Sequence, residues 1–135
     1  MGGAARLRLL LDTHIWLWSL RDLHRLGARV LKEIQDPKNE LWLSPISTWE
    51  ALTLHDKGRL YLGDDLDRWL TRATFAFHEA VLTHEIVAMS RKLPLSQRDP
   101  ADRFLAATAL VLDLTLVTAD VNLLGLGNIS TLANR

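Results

Sequence analysis

Four acidic side chains stand where apolar strands should stop or helices should begin: Asp12 after LRLLL, Glu50 in SPISTWE, Asp102 in RDPADRFLAATA and Asp120 after LTLVTA. Carboxylates brought together repel one another unless they share a proton or a cation. An anionic donor set made only of oxygens suits a hard divalent ion, Mg²⁺ or Mn²⁺. Such an ion acidifies a bound water and neutralises charge building on a phosphate. The chemistry implied is phosphodiester hydrolysis with no side-chain nucleophile, in keeping with a chain that has no cysteine and no persuasive Ser–His pair.

Each acid also has a plainer use. Asp12 and Asp120 could be helix N-caps or solvated turn acids. Glu50 closes Ser47-Thr48-Trp49-Glu50, which matches a capping box. Ser44-Pro45 is the better helix start, however, and it leaves Glu50 in the second turn. In DPAD, Asp99 precedes Pro100 and is the natural N-cap, with Asp102 one turn inside where the macrodipole welcomes an acid. One of the two caps and the other is free to bind metal. We take Asp102 as the ligand and keep Asp99 as the alternative.

Around these acids, Thr13, His14, Arg103 and Thr118 are the candidates for substrate contact. His14 follows Asp12 closely enough to lie at the site rim. Arg103 could face a phosphate or pair with a nearby acid. Thr118 could add a hydroxyl at a strand end. The five histidines show no spacing suited to zinc. The tryptophans follow helix periodicity, so they are core, or else Trp16, Trp18 and Trp49 line a groove for a partner helix.

The elements that must position these residues alternate. Leu7 to Leu11 is a continuous apolar run, as in a strand covered on both faces, and a helix over Thr13 to Leu20 leaves it. A helix over Leu26 to Gln35, a turn at Asp36-Pro37-Lys38-Asn39 and a strand over Leu41 to Leu43 follow. The Ser44-Pro45 helix runs to Lys57 and stops at Gly58. Helices are expected over Asp64 to Ala73, Thr83 to Leu93 and Pro100 to Leu112. Strands are expected within Phe75 to Leu82 and over Thr115 to Val117, with a short helix at Val121 to Leu124 and an edge strand over Asn128 to Leu132. Alternation of this kind specifies an α/β three-layer sandwich with a mainly parallel sheet. Ligands collect at the carboxyl ends of such strands, where Asp12 and Asp120 fall.

The 135 residues fit one domain, with residues 1–6, opening MGGAA, as a flexible lead-in. The stretch from Leu7 to Leu20 carries Arg8, Asp12 and His14 and is too short and polar to span a bilayer. Arg6 stands where a myristoylation signal needs Ser or Thr. The chain therefore reads as soluble and cytoplasmic, away from membranes. Sixteen basic residues balance sixteen acidic ones, so charge neither supports nor excludes a nucleic-acid substrate. Four acids gathered at one site would leave the remaining surface mildly basic, with Arg21, Arg25, Arg29 and Lys32 at near-helical spacing and Arg91 and Lys92 near Arg98.

The order of the acids (strand end, early helix, helix start, strand end) resembles that of the PIN domain. The local sequences resemble its bacterial toxin branch, the VapC ribonucleases. LLLDTHIWLW is similar to that family's opening segment, with its acid at Asp12. SPISTWEALTLHDKGRL is similar to the segment with its second acid, Glu50. RDPADRFLAATAL places the third on Asp102, and LTLVTAD places the fourth on Asp120. The resemblance covers essentially the whole chain and implies a Mg²⁺- or Mn²⁺-dependent endoribonuclease with all four acids at the metal site. It further implies an RNA substrate, a small antitoxin whose tail fills the groove, and a homodimer.

Other classes fit less well. A phosphoacceptor receiver domain needs an acid pair after its first strand, and Asp12 stands alone. Haloacid-type phosphatase chemistry needs the second acid of D-x-D, which DTHIW lacks. A noncatalytic PIN-like scaffold that binds RNA or protein is the stronger rival, and divalent-metal binding separates it from an enzyme.

Overall fold

The computed structural model describes residues 6–95 and 99–135; the MGGAA lead-in and Arg98 lie outside them. Strand β1 (Arg8–Leu11) owes its place to three consecutive leucines with no exposed surface. Leu9 and Leu11 pack into one apolar layer and Leu10 into the other, as the two-residue period of a strand requires. β1 is flanked by β2 (Glu40–Leu43) and β4 (Thr115–Thr118), with β3 (His78–Glu79) and β5 (Thr131–Ala133) at the edges. The order is β3-β2-β1-β4-β5, and every pairing is parallel.

One face of the sheet is covered by α1 (Thr13–Arg21), α2 (Ala28–Gln35), α3 (Pro45–Asp56) and α4 (Leu66–Thr74), which contribute Ile15, Trp16, Val30, Ala51 and Ala73 to the first layer. The other is covered by α5 (His84–Ser90), α6 (Pro100–Leu112) and α7 (Val121–Leu124), through Ile86, Leu105, Ala106 and Leu123. This is the three-layer sandwich expected from the alternation. The chain moves from β1 outward to β2 on one side and returns to β4 on the other. The crevice at the carboxyl ends of β1 and β4 is thus the topological switch point of the sheet.

Local chemistry explains the element ends. Ser44 Oγ accepts from the Ile46 amide at 3.1 Å, Pro45 occupies the first turn of α3, and Gly58 beyond it has φ +71°. Some expected bounds shift, and the helix expected from Asp64 begins at Leu66 after Asp65 caps it. The helix expected from Leu26 begins only at Ala28, because Leu26 and Gly27 are extended after a 3-10 turn at Leu23–Arg25. The helix expected over Thr83 to Leu93 ends at Ser90. The last strand, expected from Asn128 to Leu132, begins at Thr131 and runs to Ala133, with the Asn134 amide still bonded to the Thr118 carbonyl at 2.9 Å. No helix among the described residues is long and apolar enough to cross a membrane.

Candidate metal centre

The switch-point crevice is a cleft of about 390 Å³ into which Asp12, Glu50, Asp99, Asp102 and Asp120 all open. Three of these acids do cap helices. Asp12 Oδ1 accepts from the Ile15 amide at 3.1 Å, Asp99 Oδ1 from Ala101 at 3.0 Å, and Asp120 Oδ1 from Asn122 at 2.8 Å. Capping and convergence are compatible here, since helices starting at the strand ends must aim their N-termini, and hence their caps, at the same crevice. Glu50 is not a capping-box residue: Ser44 caps α3, and Glu50 projects from the second turn toward α1.

Two buried threonines hold the carboxylates in place. Thr118, with no exposed surface, donates its hydroxyl to Asp12 Oδ2 at 2.5 Å and accepts from the Asp120 amide at 3.0 Å. Thr13, 3% exposed, donates to Glu50 Oε1 and shares a hydrogen bond with Ser47 Oγ at 3.0 Å. Both were expected at the substrate; in the structure their hydroxyls bond and position the acids. In the sequence Ser47 stands only as the start of a capping-box match with Glu50, and its place one turn before Glu50 on the same face of α3 is the signal that could have found it.

The acids disturb one another's titration. Burial raises the Asp102 carboxyl most, followed by the charges of Asp99 and Asp120, a hydrogen bond with Asp99 and the charge of Glu50; together they push it up to about 7. Glu50 is also raised, by burial first and by the charges of Asp99 and Asp12, against the Thr13 hydrogen bond and His14. Asp12 is raised by burial, with the bonds from Thr118 and the Ile15 amide opposing. Crowding of carboxylates in a half-buried cleft therefore falls most heavily on Asp102.

Among the described residues, no three His, Asp or Glu side chains stand close enough to enclose an ion as they are placed. The acids surround the cleft without being drawn to chelating distance. The donor chemistry nonetheless fits a hard divalent cation, because every acid in the cleft offers carboxylate oxygens and three of them are raised by burial as their first cause.

The remaining candidates divide. His14 is exposed and lies on the cleft wall, at the rim as expected. Arg103 meets neither phosphate nor acid: its guanidinium donates to the carbonyls of Ser90 at 2.9 Å, Leu93 at 3.2 Å and Leu95. That is a correction, and its cause is geometric. One residue past Asp102, a helix turns about 100°, so Arg103 points at the end of α5 rather than into the cleft. Trp16 is likewise withdrawn from any groove, since it has no exposed surface and its indole donates to the Ala73 carbonyl at 3.0 Å. Trp18 lines the cleft, whereas Trp49, 62% exposed, does not.

A family model described as the PIN domain matches residues 9–127. The ribonuclease VapC22 of Mycobacterium tuberculosis is 31% identical over 113 residues, covering 83% of this chain and 86% of that protein. The crystal structure of VapBC2 from Rickettsia felis, bound to a DNA fragment from its promoter, superposes with a TM-score of 0.71 at 14% identity, over 96% of this chain and 100% of that one. A toxin–antitoxin complex from Klebsiella pneumoniae superposes at 0.61 with 20% identity, over 93% of this chain and 96% of that one. The solved structures speak for the fold, and the family model and the mycobacterial relative for descent: this chain belongs to the PIN-domain family, in its VapC branch.

Proposed function

We propose that this protein is a Mg²⁺- or Mn²⁺-dependent endoribonuclease and the toxin of a toxin–antitoxin pair. The observation that carries the reading is the convergence of five carboxylates, from four separate segments, on one cleft at the switch point of the sheet. Asp12, Glu50 and Asp102 would hold the ion, with Asp120 joining directly or through water. The ion, when bound, would supply an acidified water and charge neutralisation at the phosphate.

The chain's own residues supply order. Thr118 fixes the Asp12 carboxylate and Thr13 fixes Glu50, so two of the acids are held before substrate arrives. The Asp102 carboxyl, pushed up to about 7, must give up its proton to act as a ligand. The mycobacterial relative's name, ribonuclease, supports RNA as the substrate. The Klebsiella complex supports an antitoxin partner, and a homodimer is proposed on the family resemblance alone.

The test is incubation of purified protein with a total-RNA pool, with Mn²⁺ or with EDTA, followed by mapping of new ends. Discrete ends that need the metal are expected. RNA that is bound but never cut would make the protein a scaffold instead.

A further inference from the structure

We propose that His14, Trp18 and Arg25 form a stacking wall that seats an unpaired nucleobase of the substrate beside the acidic cleft, a proposal that rests on the nuclease reading. His14 and Trp18 lie one turn apart on α1, immediately after Asp12, and both line the cleft that holds the carboxylates. Their ring centroids are 5.9 Å apart at a tilt of 50°. The guanidinium carbon of Arg25 lies 5.5 Å from the centre of the Trp18 ring.

Arg25 is exposed, yet the turn that carries it is pinned. Asn134 Nδ2 donates to the Arg25 carbonyl at 3.0 Å, and Asn134 Oδ1 accepts from the Gly27 amide at 2.6 Å. The backbone beyond β5 packs so closely that a Cβ on Gly27 would lie 2.1 Å from the Arg135 carbonyl oxygen. The end of β5 thus sets where the Arg25 turn sits, and Arg25 in turn borders Trp18.

A carboxylate cleft alone repels a polyanion, so grip on the strand must come from the rim. In a chain with no net charge, a cation over the ring of cleft-lining Trp18 provides a local phosphate contact that the whole-molecule balance does not. An indole with a guanidinium over it offers a π surface to a base and a charge to the adjoining phosphate. Bases inside a duplex stack on each other and cannot reach such a ring, which makes the substrate class single-stranded RNA. An imidazole and a guanidinium beside five acids also suit a base and phosphate better than the apolar face of a partner helix.

The probes are a fluorescein-labelled 2′-O-methyl oligoadenylate octamer and the matching abasic strand, followed by anisotropy in EDTA so that neither is cut. The wild type is expected to bind the oligoadenylate on the order of tenfold more tightly than the abasic strand. Trp18→Ala should erase that preference, Trp18→Phe should keep most of it, and Arg25→Gln should weaken both strands. Should Trp18→Ala fail to fold by circular dichroism, Trp18→Leu, which keeps apolar bulk without the π face, replaces it.

A wild type with no preference for bases overturns the proposal whatever the variants do. So does a folded Trp18→Ala that keeps the preference. The nuclease reading fails separately. A protein that prefers bases but cuts no RNA with Mn²⁺ keeps the wall and loses the enzyme; one that cuts RNA without the preference does the reverse.

Discussion

Asp99 and Asp102 share one helix start, and their tasks differ. Asp99 caps α6 through the Ala101 amide, a job that Ser performs nearly as well. Asp102 sits half-buried one turn inside, facing Asp99, Asp120 and Glu50. Asp99→Ser should therefore retain most RNA cleavage, whereas Asp102→Asn should lose about 100-fold or more; the reverse ranking in a cleavage assay would exchange their roles. The same carboxyl makes the metal-free protein sensitive to pH. Its folded-state value, about 7, lies above the ordinary 3.8, so between the two the native state holds the proton more firmly than the unfolded chain does. Stability should fall as pH rises through that window, and the full penalty should be in place above pH 7. Glu50 and Asp12 are raised as well and act in the same direction. Melting curves in EDTA from pH about 4.5 to about 8 should show the fall, and Asp102→Asn should reduce the slope and melt higher than wild type at the alkaline end. Parallel curves for the two proteins would contradict this origin of the strain.

The junction of α5 with α6 depends on Arg103, whose guanidinium answers three carbonyls that the end of α5 and the segment beyond it leave without intrahelical partners. Lysine brings the charge but not the planar fork. Arg103→Lys should lower stability by about 1–3 kcal/mol in urea melts, with little change in cleavage by the fraction that stays folded. A stable variant with strongly reduced cleavage would return Arg103 to the site. Arg103 was beyond reach from the sequence because contact with a phosphate, an acid or a carbonyl looks the same in DPADRF. The tryptophans posed a related difficulty. Thr13–Arg21 is apolar on most of its circumference, so no period marks which face is buried, and only packing separates sealed Trp16 from cleft-lining Trp18. The strands and the switch-point crevice could be read, because LLL and LTLV are apolar runs short enough to be strands and each stops at or just before an acid. What they could not reveal was that Thr13 and Thr118 turn their hydroxyls to the acids. A buried threonine and a substrate-binding one differ only in what surrounds them.

Across the whole molecule, a neutral chain concentrates five carboxylates at one end of its sheet and offsets their repulsion with buried threonines and helix N-termini. Such a cleft should gain stability from any divalent ion it binds, because an ion that binds the native state alone shifts unfolding by mass action. The most direct measurement is the single-turnover cleavage rate of one RNA, chosen from those mapped in the total pool, against Mn²⁺ concentration for wild type and Asp12→Asn, with folding of both checked by circular dichroism. A wild-type rate that rises from background and saturates with Mn²⁺, together with a folded Asp12→Asn protein slower by about 100-fold or more at every concentration, is the expected result. Cleavage that proceeds undiminished in EDTA, or an Asp12→Asn protein that cuts at the wild-type rate, would contradict a metal-dependent nuclease centred on these acids.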